Sequence, residues 1–354
     1  MTNSQKKFKV IKKTDLPNSE LEIEVEISEE LLSKNRKEVL KRMNENASIS
    51  GFRKGHVPEK ILIEKAGDMN ILEDTAEASI NEILPELFAQ EKIEAIGRPN
   101  VSITKIALGN PLEFKLKISL MPKVELPDYK KIAVKSNSEK IAEPEVTEKE
   151  IDTLIEEIRK NFAKSTHDHA HETGEAHDHK ETLPEWNDEF VKKLGDFKDI
   201  ADFHVKVKKN LIEDKKRKEA EKKKLALAEE IIKASKINLP RILIDSELSK
   251  MEAQLEDDIL RMGGNIPEYL KHIKKTMEDL KKDWEPDATK RAKLQLILNK
   301  IASEEKIFVP EMKVEEEVKH ILDHYKEADP TQARIYVETV LTNEKVFQFL
   351  ADQK

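Results

Sequence analysis

Cysteine is absent from the 354 residues, which excludes a disulfide scaffold, a thiolate zinc site and a cysteine nucleophile. Glycine is scarce: nine residues leave little room for phosphate-cradling loops, and neither a Walker-type nor a dinucleotide-binding fingerprint is present. Nucleotide chemistry is therefore not expected. No stretch approaches the ~18 consecutive apolar residues of a membrane span. Residues 1–10 are polar and lysine-bearing, without the apolar stretch of a signal peptide, so a cytoplasmic location with no membrane partner is expected. No His-Glu-x-x-His segment or nucleophile elbow occurs, and no catalytic set or cofactor is expected.

What fills the chain is charge. Charged residues make up 38%, against ~25% for an average domain, and aromatics only 5%, the profile of a mostly helical protein with broad solvated faces. The length suffices for two or three domains of ~100–200 residues. Lys plus Arg number 63 against 71 Asp plus Glu, a formal charge of −8. That balance disfavours a surface built throughout to grip nucleic acid but leaves room for a local basic patch.

Pattern divides the chain into zones. Residues 1–128 read as one α+β domain. Leu21, Ile23, Val25 and Ile27 alternate with Glu22, Glu24 and Glu26 as in a half-buried strand. Ser28, followed by two glutamates, suits the N-cap of a helix running to about Asn46. A loop over 48–58, helices over 59–66 and 71–90 with a bend at Pro85, and strands over 101–108 and 112–120 complete it. Residues 129–162 form a connecting segment and helix, with Ile151, Leu154, Ile155, Ile158 and Phe162 on one stripe. Residues 163–182 are a polar linker, and 183–354 read as helical throughout. Pro240, Pro267, Pro286 and Pro310 sit where helices are expected to begin, and Gly263-Gly264 breaks one off. The fold class is thus an α+β N-terminal domain followed by an all-α domain.

The segment Gly51-Phe52-Arg53-Lys54-Gly55-His56-Val57-Pro58 stands out. Its two glycines suit a tight tip that projects Phe52, Arg53 and Lys54, and Pro58 suits the start of the next helix. Residues 34–60 carry eight basic side chains against three acidic ones, a net +5 inside a chain of net −8. Two readings stay open on this ground: a docking patch for a polyanion or an acidic protein, or an ordinary solvated helix with a glycine-stabilised turn.

This segment resembles the signature loop, Gly-Phe-Arg-x-Gly-Lys-x-Pro, of the bacterial trigger factor, a ribosome-associated chaperone family. Gly51, Phe52, Arg53, Gly55 and Pro58 match it. His56 replaces the usual lysine; with an ordinary pKa of about 6.5 it is mostly neutral near pH 7, and one permanent charge is lost. Leu120-Met121-Pro122-Lys123-Val124-Glu125-Leu126 resembles the family's exit from its ribosome-binding domain. Leu183-Pro184-Glu185 and Phe190-Val191-Lys192-Lys193-Leu194-Gly195 resemble the start of its C-terminal domain, and Asn238-Leu239-Pro240 its second arm. The resemblance implies an ATP-independent chaperone that docks on a ribosomal protein and adjacent rRNA at the exit tunnel, shields nascent and unfolded polypeptides, assists folding and export, and dimerises weakly off the ribosome. The docking role falls on Phe52, Arg53 and Lys54, framed by Gly51, Gly55, His56 and Pro58.

Family members normally carry an FKBP-like prolyl isomerase domain of roughly a hundred residues before the C-terminal domain. Here only residues 163–182 occupy that place, and a polar tract of that length cannot bury enough apolar surface to fold. Isomerase activity is therefore an alternative that the sequence disfavours. In the tract lie His167, His169, His171, His177 and His179, a spacing able to wrap Zn²⁺, Ni²⁺ or Cu²⁺, though nothing fixes their geometry and a metal-free solvated linker is the favoured reading. A metal-handling chaperone is the second alternative. Client contact needs exposed adaptable apolar groups, for which Met251, Met262, Met277 and Met312 are candidates; helical spacing fits a core role for each as well. Lys and Arg crowding over 208–224 reads as a solvated face, and Trp186 and Trp284 as packing residues.

Overall fold

A computed structural model describes residues 7–138, 145–168 and 183–354, with side chains of the middle stretch through residue 163. In chain order the elements are β1 (Phe8–Leu16), β2 (Glu20–Ile27), α1 (Glu29–Asn46), α2 (Glu59–Ala66), α3 (Asp68–Glu91), β3 (Ala95–Lys105), β4 (Leu112–Leu120) and β5 (Val124–Glu125). Then follow α4 (Tyr129–Ser138), α5 (Glu148–Asp168), α6 (Asp188–Lys193), α7 (Ile200–Ala234), β6 (Lys236–Ile237), α8 (Arg241–Arg261), α9 (Ile266–Ile273), α10 (Met277–Glu304), α11 (Glu311–His324) and α12 (Pro330–Ala351). Packing groups them into two compact units, one of Met1–Pro127 with Ala234–Asn343, the other of Asp128–Lys233 with Glu344–Lys354.

In the first unit, an antiparallel sheet of order β1-β2-β4-β3 is covered on one face by α1 and α3. The strict alternation of β2 is the cause: Leu21, Ile23, Val25 and Ile27 are buried against Leu31, Ile80, Ile83 and Leu87. Each such side chain withdrawn from water stabilises the fold by about 1.5–3 kcal/mol. The opposite face carries the intervening glutamates, and β4 answers them with lysines: Lys115 Nζ meets Glu24 at 2.9 Å and Lys117 Nζ meets Glu20 at 2.8 Å. Exposed as they are, these pairs contribute little to stability and serve mainly to fix register. Ser28 caps α1, its Oγ accepting from Leu31 N at 3.4 Å. Helix α3 continues through Pro85 without interruption.

Several boundaries differ from expectation: α3 starts at Asp68 rather than 71, β3 ends at Lys105 rather than 108, and the short strand β6 interrupts the stretch 183–354 expected to be helical throughout. β3 starts at Ala95 rather than 101, because an edge strand has one free side and so tolerates Gly97, Pro99 and the irregular register between Ile96 and Asn100. α10 begins at Met277, with Pro286 inside it; the start is set by a capping box in which Thr276 and Asp279 bond each other's backbone N–H. Pro240, Pro267 and Pro310 do sit at helix starts. Helices α8 and α10 pack together, burying Leu248 and Ile259 with Leu280, Ala288 and Ala292. They join the sheet region through β5 pairing with β6 and through Ser19 Oγ, which donates to Asn238 O at 2.9 Å.

In the second unit the expected stripe of α5 packs with α6 and α7. Ile151 and Ile155 are buried with Val191, Phe203 and Val207. Trp186 lies edge-on to Phe203 at 5.1 Å between centroids, a packing residue as expected. Arg159 Nε donates to Pro184 O at 2.7 Å and Phe162 meets Phe190 edge-on at 5.0 Å, so residues on either side of the polar tract pack directly on one another.

Candidate functional site

The loop between α1 and α2 is built by backbone geometry and one side chain. Gly51 and Gly55 adopt φ of +91° and +79°, and a Cβ at either would meet nothing within 4 Å. The glycines are therefore there for conformation and not for space. Phe52 N donates to Ile49 O at 3.1 Å and His56 N to Arg53 O at 3.0 Å, two tight turns in succession. Asn44, in the last turn of α1, reaches the far end of the loop: its Nδ2 donates to Val57 O at 2.8 Å and its Oδ1 accepts from Val57 N at 3.0 Å. Its backbone carbonyl also accepts from Gly55 N at 3.0 Å.

Val57 then plugs the base. It is buried with Val39, Leu40, Leu62 and Ile71, and Met43 and Ile49 pack at the margin. Pro58 follows as the N-cap of α2, its carbonyl accepting from Leu62 N at 3.0 Å.

Above this base the tip is open. Gly51, Phe52, Arg53, Lys54, Gly55 and His56 are all exposed, and Phe52 as a whole residue is 39% exposed. Among the described residues Arg53 and Lys54 make no ion pair, and the same holds for Lys37, Lys41, Arg42 and Lys60 around them. Lys34 and Arg36, by contrast, are engaged: Lys34 near Glu82 at 3.7 Å, Arg36 with Asp68 at 2.6 Å. A projecting aromatic ring beside a free guanidinium and a free ammonium is suited to a compact contact with an acidic or phosphate-bearing surface. The seven residues marked out by sequence therefore form one continuous feature. Asn44 was missed, since nothing local marks its amide as the partner of a peptide 13 positions away.

The other candidates scatter. Met262 and Met312 are 80% and 77% exposed, whereas Met251 and Met277 are half-buried. Phe308, Ile335 and Tyr336 are also exposed in the helical region, apolar groups that spacing alone did not single out. His167 lies in the last turn of α5, while His169, His171, His177 and His179 fall outside the described residues. Among the described residues no group of three His, Asp or Glu side chains is placed to hold a metal ion, and no helix is long and apolar enough to cross a membrane.

Comparison with known proteins agrees with this architecture. The family model described as bacterial trigger factor protein matches residues 9–158, and the one described as its C-terminus matches 199–353. Among relatives, the trigger factor of Moorella thermoacetica is 23% identical, covering 90% of this chain and 87% of that protein. That match runs over 396 residues, more than the 354 of this chain, so part of the relative faces a gap here. The trigger factor of Halothermothrix orenii is 22% identical with 93% of each covered. A solved structure, from work on promiscuous substrate recognition in folding and assembly activities of the trigger factor chaperone, shares the fold: TM-score 0.52 at 15% identity, covering 97% of this chain and all of that one. Two family models that together span most of the chain, relatives matched along nearly their whole length and a common fold place this protein in the bacterial trigger factor family.

Proposed function

We propose that this trigger factor family chaperone works as an ATP-independent holdase, tethered at the ribosomal exit tunnel by Phe52, Arg53 and Lys54. The observation that carries the reading is the tip itself: an exposed ring and two unpaired cations on a pinned base, in the family's signature loop. Arg53 and Phe52 meet a ribosomal protein, and Lys54 the neighbouring rRNA phosphates. In functional terms residues 1–128 dock, 129–162 connect, 163–182 link, and 183–354 receive nascent and unfolded chains. Exposed Met262 and Met312, with Phe308 and Tyr336, supply adaptable apolar contacts in that last segment. The protein acts in the cytoplasm and pairs weakly with itself when free.

Isomerase activity is not part of this reading. We assign the gap against the longer relatives to the place where family members carry that domain, and the direct packing of Phe162 on Phe190 and of Arg159 on Pro184 supports a seam closed without it. Proline-limited refolding assays should show no acceleration above background.

The tether is tested by substituting Phe52, Arg53 and Lys54 with alanine together. None of the three contributes to the core, so the variant folds; it should no longer co-sediment with ribosomes. Binding equal to that of the unaltered protein refutes the docking site.

A further inference from the structure

The three tip residues have no buried side chain among them, yet docking of a compact hot spot requires that they be presented at one height and spacing. Disorder in such a tip would have to be removed at the moment of binding, and each mobile side chain or loop residue ordered then weakens the association. The hydrogen bonds that prevent this converge on a single residue. The Asn44 carboxamide pairs with both polar groups of the Val57 peptide, at 2.8 and 3.0 Å, in the manner of a strand partner, and its main-chain carbonyl holds Gly55 N–H at 3.0 Å. On the other flank the Phe52 N–H is held by Ile49 O at 3.1 Å. The stretch from Phe52 to Gly55 is therefore strung between two fixed points, and Asn44 supplies the one that faces Arg53 and Lys54.

We infer that Asn44 is the positioning residue of the docking loop: it touches no part of the ribosome and sets affinity by holding the Phe52, Arg53 and Lys54 tip in its bound shape before binding. The inference rests on the proposed docking role. No other side chain among the described residues hydrogen-bonds the loop from Ala47 to Val57. Alanine at 44 leaves the Val57 N–H and C=O, both partly buried, without partners; aspartate keeps an acceptor for the N–H but offers no donor to the C=O. Glutamine carries the same amide one methylene further out and misplaces it.

The test measures ribosome affinity and amide hydrogen exchange on the full chain for Asn44→Ala, Asn44→Asp and the triple tip variant. Asn44→Ala should bind ribosomes about tenfold more weakly, a loss of about 1.4 kcal/mol, with Asn44→Asp in between. Exchange at Val57 should accelerate in both, while Ile23 and Val25 in the sheet stay protected; a merely structural effect would loosen the sheet as well. If the triple variant loses binding but Asn44→Ala keeps wild-type affinity despite faster exchange at Val57, the positioning role is refuted and the docking site stands. Unchanged exchange at Val57 in Asn44→Ala likewise refutes it. If the triple variant binds normally, the docking site itself is wrong and the inference falls with it.

Discussion

Asn35 on α1 donates from Nδ2 to Glu82 Oε2 on α3 at 3.1 Å, and the same nitrogen reaches Ser79 Oγ at 3.1 Å. Asn35 is almost fully buried, so the polar link lies inside the contact between the two helices. Ser79 Oγ in turn donates to Thr75 O at 2.7 Å. A buried polar group keeps its place only while its partners remain.

Asn35→Ala should therefore lower the unfolding free energy by about 1–3 kcal/mol, the cost of stranding polar atoms in a buried setting. Urea denaturation of the two proteins measures it. An unchanged midpoint would mean that Glu82 and Ser79 find water instead.

Glu82 makes the same junction sensitive to acid. Burial pushes its carboxyl upward, but hydrogen bonds from Lys7 and Asn35, with the nearby Lys34 charge, outweigh burial and hold it below the ordinary carboxylate range. A depressed carboxyl contributes its stability in full above the unfolded pKa of about 4.3, and the contribution is lost as pH falls through the folded value. Between pH 7 and pH 3, Glu82→Gln should lose less stability than the unaltered protein. Equal losses would exclude Glu82 as a source of acid sensitivity.

Gly97 and Gly109 form a natural control pair. Their φ values are +69° and +71°, but a Cβ on Gly97 would clash with Ile242 Cδ1 on α8, whereas one on Gly109 meets nothing within 4 Å. Gly109→Ala should cost about 1–2 kcal/mol, the backbone term alone. Gly97→Ala should cost more, and its excess should shrink in an Ile242→Ala background, a coupling that a double-mutant cycle reads directly. Additivity of the two would show that the Ile242 side chain already yields.

Lys54 should act through charge and Phe52 through contact. Ribosome affinity of Lys54→Ala should fall modestly and its dependence on log salt concentration should flatten by about one unit of slope, the signature of a lost phosphate contact. Phe52→Ala should weaken binding at every salt concentration with the slope preserved. The reverse assignment of slopes would exchange their roles.

How much of this was legible in advance followed from how local each cause is. β2 could be read because burial on one face leaves a period-2 signature, and α1 because Ser28 and two glutamates announce its start. β1 was not singled out: at the sheet edge only Phe8 is buried, and the irregular register between Val10 and Lys12 removes any clean alternation. Pro286 misled because proline is a strong local signal, while the Thr276–Asp279 box that sets the true start is a weaker one. The exposed loop over 51–58 was visible because its glycines and its tip are consecutive. Asn44 was not, because its partner at Val57 is brought to it only by the closed loop.

The open tip above the Val57 plug has a consequence for change over time. Residues that hold the loop and residues proposed to meet the partner are separate sets: Asn44, Gly51, Gly55 and Val57 on one side, Phe52, Arg53 and Lys54 on the other. Substitutions in the second set leave folding untouched, so recognition at this site can drift, be lost or be rewritten for a different surface while the scaffold beneath stays as it is. The loop behaves as a socket with an exchangeable head.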